Sequence, residues 1–167
     1  MYDELTEVDI QKMREELEYR YTVLGPELGA EVKRTREYGD LSENAEYKEA
    51  KRARNKNRSR IRYLEAMIRT AKVIEVKQDP DRISLFDRVT YRHEERGITK
   101  TVQIVTTLRQ DALVGYLSKE SPLGQSLLGR REGDRIRVTV NENRAYDVTV
   151  LKVEKGTDNA DIPISSF

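Results

Sequence analysis

Hydrophobic residues along the first part of the chain recur at spacings of three and four, at Ile10, Met13, Leu17, Tyr21, Leu24, Leu28 and Val32. That period puts them on one stripe of an α-helix, and Thr6 stands where an N-cap hydroxyl is needed. Gly39 is the expected stop. A second stripe follows at Tyr47, Ala50, Ile61, Leu64, Ile68 and Ala71, so two long helices with a short connection are predicted to form an antiparallel hairpin. In such a hairpin the residue numbers of facing positions add to a nearly constant value. Thr35 with Tyr47, Val32 with Ala50, Tyr21 with Ile61, Leu17 with Leu64, Met13 with Ile68 and Ile10 with Ala71 all satisfy one register. About 30 residues per helix at ~1.5 Å each predict a rod of roughly 45 Å, too thin to be a globular domain. The same register sets Leu28 opposite Arg54 and Leu24 opposite Asn57, beside Gly25, Pro26 and Gly29. This middle is expected to be poorly packed and kinked at Pro26, a flexible waist rather than a binding site.

After Val76 the pattern changes. KQDPD carries a proline and turn formers, and short β-rich runs follow: DRVTYR, TVQIV, DALVGYL, RIRVTV and YDVTVLKV. These predict a small, mostly antiparallel β domain. Between its strands, SPLGQSLLG reads as a short helix entered through Ser121 and Pro122 and ended by Gly129. The C-terminal GTDNADIPISSF is polar with one proline and is expected to pack loosely. The predicted class is α+β: a helical hairpin over residues 1–78, a linker at 79–83, and a β domain with one short helix over 84–167.

Composition narrows the chemistry more than it names it. The 31 Lys plus Arg nearly cancel 30 Asp plus Glu, so net charge says nothing about partners and local charge must decide. Without cysteine there is no disulfide framework, no thiolate metal site and no Cys nucleophile, which suits a reducing cytoplasm. The N-terminus is acidic and amphipathic, and no 18-residue apolar run occurs, so a cytoplasmic chain without membrane contact is expected.

Between the two predicted helices, Gly39-Asp40-Leu41-Ser42-Glu43-Asn44-Ala45-Glu46-Tyr47 crowds Asp40, Glu43 and Glu46 into the far end of the rod. One reading is structural: Asp40 caps the second helix and Glu43 completes a capping box. The other is a metal hand, because Mg²⁺ takes one or two protein carboxylates and completes its octahedron with water and phosphate oxygens. Two acids on a rod cannot hold Mg²⁺ tightly alone. They can supply missing ligands to another protein's two-metal phosphodiester site.

The run REYGDLSENAEYKEAK, with RIRYLEAMIRTAKVIE after it, resembles the signature of the Gre family of bacterial transcript-cleavage factors. SKESPLGQSLLGRREGD resembles that family's second, FKBP-like domain, so the resemblance covers nearly the whole chain. It implies an accessory factor rather than an enzyme: a coiled coil inserted in the secondary channel of bacterial RNA polymerase, with the β domain gripping the channel rim. It implies that Asp40 and Glu43 help coordinate the polymerase's second catalytic Mg²⁺, beside the nascent RNA 3′ end, with no cofactor held stably by the chain alone. It points to Ser121, Pro122, Leu123 and Gly124 for docking, and a monomer is expected. Arg52 and Arg58 stand where the family usually has acids, and Asn141-Glu142-Asn143 replaces a more usual Pro and Gly pairing, departures that bear on which RNA lengths are cleaved.

Lys48, Lys51, Arg52, Arg54, Lys56, Arg58, Arg60 and Arg62 face only one acid within their run, Glu49. Such a run is either a solvated helix face or a phosphate-binding one. The register leaves most of Lys51, Arg52, Lys56, Arg58 and Arg60 without acidic partners, which makes nascent RNA a candidate ligand. His93 has no second His or Cys nearby and reads as a surface turn residue. Phe86, Tyr91, Tyr116 and Tyr146 read as core. Two other functions compete: an inhibitory paralogue that occupies the channel without cleavage, opposed by the intact acids, and an FKBP-type prolyl isomerase, opposed by the absence of Trp and the scarcity of aromatics that would line its pocket.

Overall fold

Chain order in the computed structural model, which describes residues 3–37 and 44–166, is a two-residue strand followed by helices and then a sheet. Strand β1 (Glu4–Leu5) leads into α1 (Glu7–Tyr19). Thr6 caps α1 as expected: its Oγ1 accepts from the Asp9 N–H at 3.3 Å, and the Asp9 carboxylate accepts from the Thr6 N–H at 3.0 Å. This reciprocal pair is a capping box with Asp in the usual Glu place.

The helix does not continue regularly to the hairpin end. A π-helical turn, Arg20–Leu24, intervenes before α2 (Gly25–Arg36). Proline at 26 has no N–H and its ring crowds the carbonyl four residues back, so the ladder widens and Gly25 N–H donates to Arg20 O instead. A β-carbon at Gly25 would lie 2.7 Å from that carbonyl oxygen, so glycine is needed for the turn to close. The inserted residue corrects the expected seam. Tyr21 is not opposite Ile61 in the interface; it is 53% exposed, and its hydroxyl donates to Glu65.

Helix α3 (Ala45–Thr70) returns against α2. Its inward side carries Ala50, Asn57, Arg60 and Leu64, while Ile10, Met13, Val32 and Thr35 are buried on the other strand of the hairpin. The middle of the seam is a hydrogen-bonded polar network. Arg60 Nε and Arg20 Nε both donate to Glu16 Oε1, at 2.8 and 2.9 Å, and Arg20 Nη1 donates to Asn57 Oδ1 at 2.8 Å. Burial pushes the Glu16 carboxyl up, but hydrogen bonds from Arg60 and then Arg20 outweigh it and hold it below the ordinary range.

Strand β2 (Lys72–Val73) pairs in parallel with β1, so residues 3–9 and 72–166 form one compact unit and residues 10–71 the other. The five-stranded sheet consists of β3 (Arg88–His93), β4 (Ile98–Val105), β5 (Tyr116–Ser118), β6 (Arg135–Asn141) and β7 (Arg144–Glu154), with α4 (Pro122–Leu127) between β5 and β6. Spatial order is β5-β4-β3-β7-β6, and only β4 with β5 is parallel. Alternation places Val89, Tyr91, Val148, Val150, Ile136 and Val138 on the core side with Leu123 and Leu127 from α4. Phe86 and Tyr91 are buried, and Tyr116 and Tyr146 pack partly against the cluster, as expected.

Two expectations need correction here. DALVGYL is not one strand: Ala112 to Gly115 turn, Asp111 Oδ1 accepts from the Leu113 N–H at 3.1 Å, Asp111 bridges back to Tyr116, and β5 begins only at Tyr116. The C-terminal segment does not pack loosely. Ile162 joins the core, the Asn159 carbonyl accepts from Arg109 Nη1 at 3.1 Å, and Ser165 N–H donates to Leu108 O at 2.7 Å.

Candidate functional site

Asp40 and Glu43, like Gly39, lie outside the described residues. What is described is the pair of helix ends on either side of them. Helix α3 begins at Ala45 with Asn44 as its N-cap, the Asn44 Oδ1 accepting from the Tyr47 N–H at 3.0 Å. The capping alternative for Asp40 is therefore corrected: the cap is four residues further on. Asn44 Nδ2 also donates to the Thr35 carbonyl at 2.7 Å. Nearby, Arg34 approaches Glu46 at 3.6 Å and pairs with Glu31, both in the open. Among the described residues, no group of three or more His, Cys, Asp or Glu is placed to hold a metal ion.

The basic run divides once side chains are placed. Lys48, Lys51, Arg52, Asn55, Lys56 and Ser59 line a shallow trough on one face of α3. Lys51 sits over the Tyr47 ring at 5.1 Å, and Arg52 makes an exposed pair with Glu49 at 2.9 Å. Arg58 is exposed. Arg60 is not part of this face. It is buried in the seam on Glu16, contrary to the expectation that it lacked an acidic partner, because the π-helical turn brings Glu16 and Arg20 toward it.

In the β unit, the SPLG turn is mainly a packing device. Ser121 Oγ accepts from the Gly124 N–H at 3.1 Å and donates to Ser118 O at 2.7 Å. Leu123 is buried, and a β-carbon on Gly124 would fall 2.2 Å from Ser118 O. Pro122 is exposed. Ser121 and Leu123 also edge an open groove of about 850 Å³ shared with Tyr91, Tyr116, Leu113 and Val114. Leu113, 98% exposed, and Val114 form an apolar rim that the sequence reading missed. Its signal was Asp111 two residues before and Gly115 two residues after Leu113, turn formers that put an apolar pair on a loop rather than in a strand. His93 is the last residue of β3; its ring stacks on Tyr146 at 4.8 Å and Nδ1 accepts from the Arg96 N–H.

Against known proteins, the profile described as "Transcription elongation factor, N-terminal" matches residues 4–73, and that described as "Transcription elongation factor, GreA/GreB, C-term" matches residues 77–155. Transcription elongation factor GreA of Mesomycoplasma hyopneumoniae (strain 7448) is 38% identical over 149 residues, covering 89% of this chain and 92% of its own. GreA of Geobacillus kaustophilus is 42% identical over 135 residues, covering 80% and 85%. The crystal structure of GreA factor homolog 1 (Gfh1) of Thermus thermophilus is 22% identical, covers 93% of this chain and all of its own, and superposes with a TM-score of 0.43. With both halves matched in order and relatives above 30% identity along most of their length, the chain belongs to the GreA/GreB family of transcription elongation factors.

Proposed function

We propose that this chain binds bacterial RNA polymerase, presents Asp40 and Glu43 in its secondary channel, and stimulates the polymerase's own cleavage of backtracked nascent RNA. Family membership supports the setting. The observation that carries the site assignment is the cap: Asn44 starts α3, so the N-cap of that helix is supplied by a residue other than Asp40 or Glu43. Their chemistry then has a different use. Two carboxylates are the donor type and number that Mg²⁺ accepts from protein, the ion supplying charge neutralisation and water activation when held jointly with polymerase ligands. In this reading the chain is an accessory that completes a site owned by its partner.

Two further surfaces fit that role. Lys51, Arg52, Lys56 and Arg58 on α3 are assigned to RNA phosphates, with Arg60 removed from the set by its burial. The groove edged by Ser121 and Leu123, with its rim of Leu113 and Val114, is assigned to polymerase docking together with the exposed Pro122; Gly124 serves it by allowing the close turn. Exposed apolar side chains beside a preformed groove are the usual core of a binding patch.

The test is a stalled bacterial elongation complex carrying 3′-labelled RNA. The chain is expected to release short 3′ fragments, and Asp40→Ala or Glu43→Ala to abolish release while polymerase binding is kept. Channel occupancy without fragments from the native chain would establish the inhibitory reading instead. Replacing Arg52 and Lys56 by Gln is expected to lower the salt dependence of RNA engagement by ~0.7 per contact in log affinity against log salt. An unchanged slope would make α3 a solvated face.

A further inference from the structure

Asparagine, aspartate and serine are nearly equal as helix caps, since each offers an oxygen to the free N–H groups of the first turn. Capping alone therefore does not explain why position 44 is Asn. Oδ1 does the capping, on the Tyr47 N–H. Nδ2 does something an Asp cap has no donor for and a Ser hydroxyl, on a side chain one atom shorter, does not reach: it donates at 2.7 Å to the carbonyl of Thr35, nine residues earlier in the chain. That carbonyl is among the last of α2, where a helix runs short of its own donors, and it shares the Glu37 N–H with the Arg34 carbonyl. Thr35 itself is fully buried, and its hydroxyl donates back to Glu31 O at 2.9 Å, so the acceptor is anchored in its own helix. One side chain thus bolts the end of α2 to the start of α3, and the residues joined are those flanking 38–43.

We infer that Asn44 is a positioning residue for transcript cleavage, acting through the segment that carries Asp40 and Glu43. This rests on the function proposed above. Two acids that share a metal with another protein must be offered within about half an ångström of the productive place, and a shift near 1 Å costs on the order of a hundredfold in rate. The bond between Asn44 and Thr35 holds the two helix ends that flank the acids against sliding past each other.

Asn44→Asp keeps an oxygen for the cap and has no donor for Thr35, and Asn44→Ser keeps the cap on a side chain too short to reach Thr35 as well; Asn44→Ala loses both. Each full-length variant is measured beside Asp40→Ala for helix content by far-UV circular dichroism, for polymerase binding by competition, and for single-turnover cleavage across a Mg²⁺ titration. The expected result for Ser and Asp is native helix content and native binding, with cleavage slowed about tenfold or more and a raised Mg²⁺ requirement. Ala is expected to share that defect and to lose helix content as well. A purely structural role for Asn44 would leave Ser indistinguishable from the native chain. If Ser and Asp cleave within about twofold of native at every Mg²⁺ concentration while Asp40→Ala is inactive, the positioning role is overturned and the assignment of the acids stands. If Asp40→Ala is fully active, both are overturned.

Discussion

The two units each bury an arginine on a carboxylate from α1, and they do so in opposite surroundings. In the β unit, Arg109 and Asp9 are 0% exposed, joined at 2.5 Å, with Asp158 at 2.6 Å and the Phe86 ring 5.2 Å from the guanidinium. In the hairpin, Arg60 is 5% exposed but its partner Glu16 is 21% exposed and shared with Arg20. A dry pair set in an apolar core is costly to assemble and far more costly to break, because the survivor is stranded without water. A pair at a wet seam costs less in both directions and serves mostly to set which residues face each other. The comparison teaches that the β unit uses its ion pair as part of a core, whereas the hairpin uses one where a core is lacking.

The sharpest way to break that contrast is Asp9→Ala, which takes from Arg109 its fully buried carboxylate, leaving it Asp158 and the Asn159 carbonyl, and removes the capping box together. It is expected to lower unfolding free energy by about 3–5 kcal/mol in urea titrations followed by tyrosine fluorescence. A loss below ~1 kcal/mol would mean that Arg109 is less dry than its surroundings imply. Arg60→Ala should cost less, about 1–2 kcal/mol, since Glu16 keeps Arg20 and some water. Arg60→Met with Glu16→Leu is expected to be near neutral or stabilising; a large loss from that double variant would show that the hairpin pair contributes more than register.

Acid provides a finer separation. The Glu16 carboxyl is held below its ordinary value of 4.5 in the folded chain. Its contribution is therefore complete above that value and is lost as pH falls through the lower folded one. Glu16→Gln is expected to give a flatter stability profile than the native chain below about pH 4.5, read from the helical signal at 222 nm on thermal melting. Coincident profiles would remove Glu16 from the acid response. The smallest effect concerns the groove: Leu113→Ser should leave stability within about 0.5 kcal/mol of native, because the side chain touches little, while weakening polymerase binding. Unchanged affinity would remove the rim from the docking surface.

Much of this organisation was legible in the residue pattern. Helical period, the Thr6 cap, the change to β-rich runs after Val76, the Ser121-Pro122 helix start and the core aromatics are local matters of propensity and alternation, and each stands where the sequence reading put it. The failures share a cause. Tyr21 left the seam because Pro26 widened a helical turn upstream of itself, and one added residue rotates what precedes it. Arg60 read as an unpaired cation because a straight register put no acid opposite it. Asp40 read as a cap because its spacing to Glu43 fits a capping box, although Asn44 fits the same role and takes it.

The amino-acid sequence by itself determined the family, through GDLSENAEY and SPLGQSLLG, and with it the α+β class and the type of chemistry two carboxylates can do. These are properties of short contiguous runs, which a chain displays whether or not it is folded. Tertiary structure alone decided which groups meet. Pairing of residues 4–5 with 72–73 joins the first residues of the chain to the β unit. Arg109 finds Asp9 a hundred positions away, and Asn44 reaches back to Thr35. Contacts of that kind depend on distances through space, set by packing and by the satisfaction of buried polar groups, and no period along the chain encodes them.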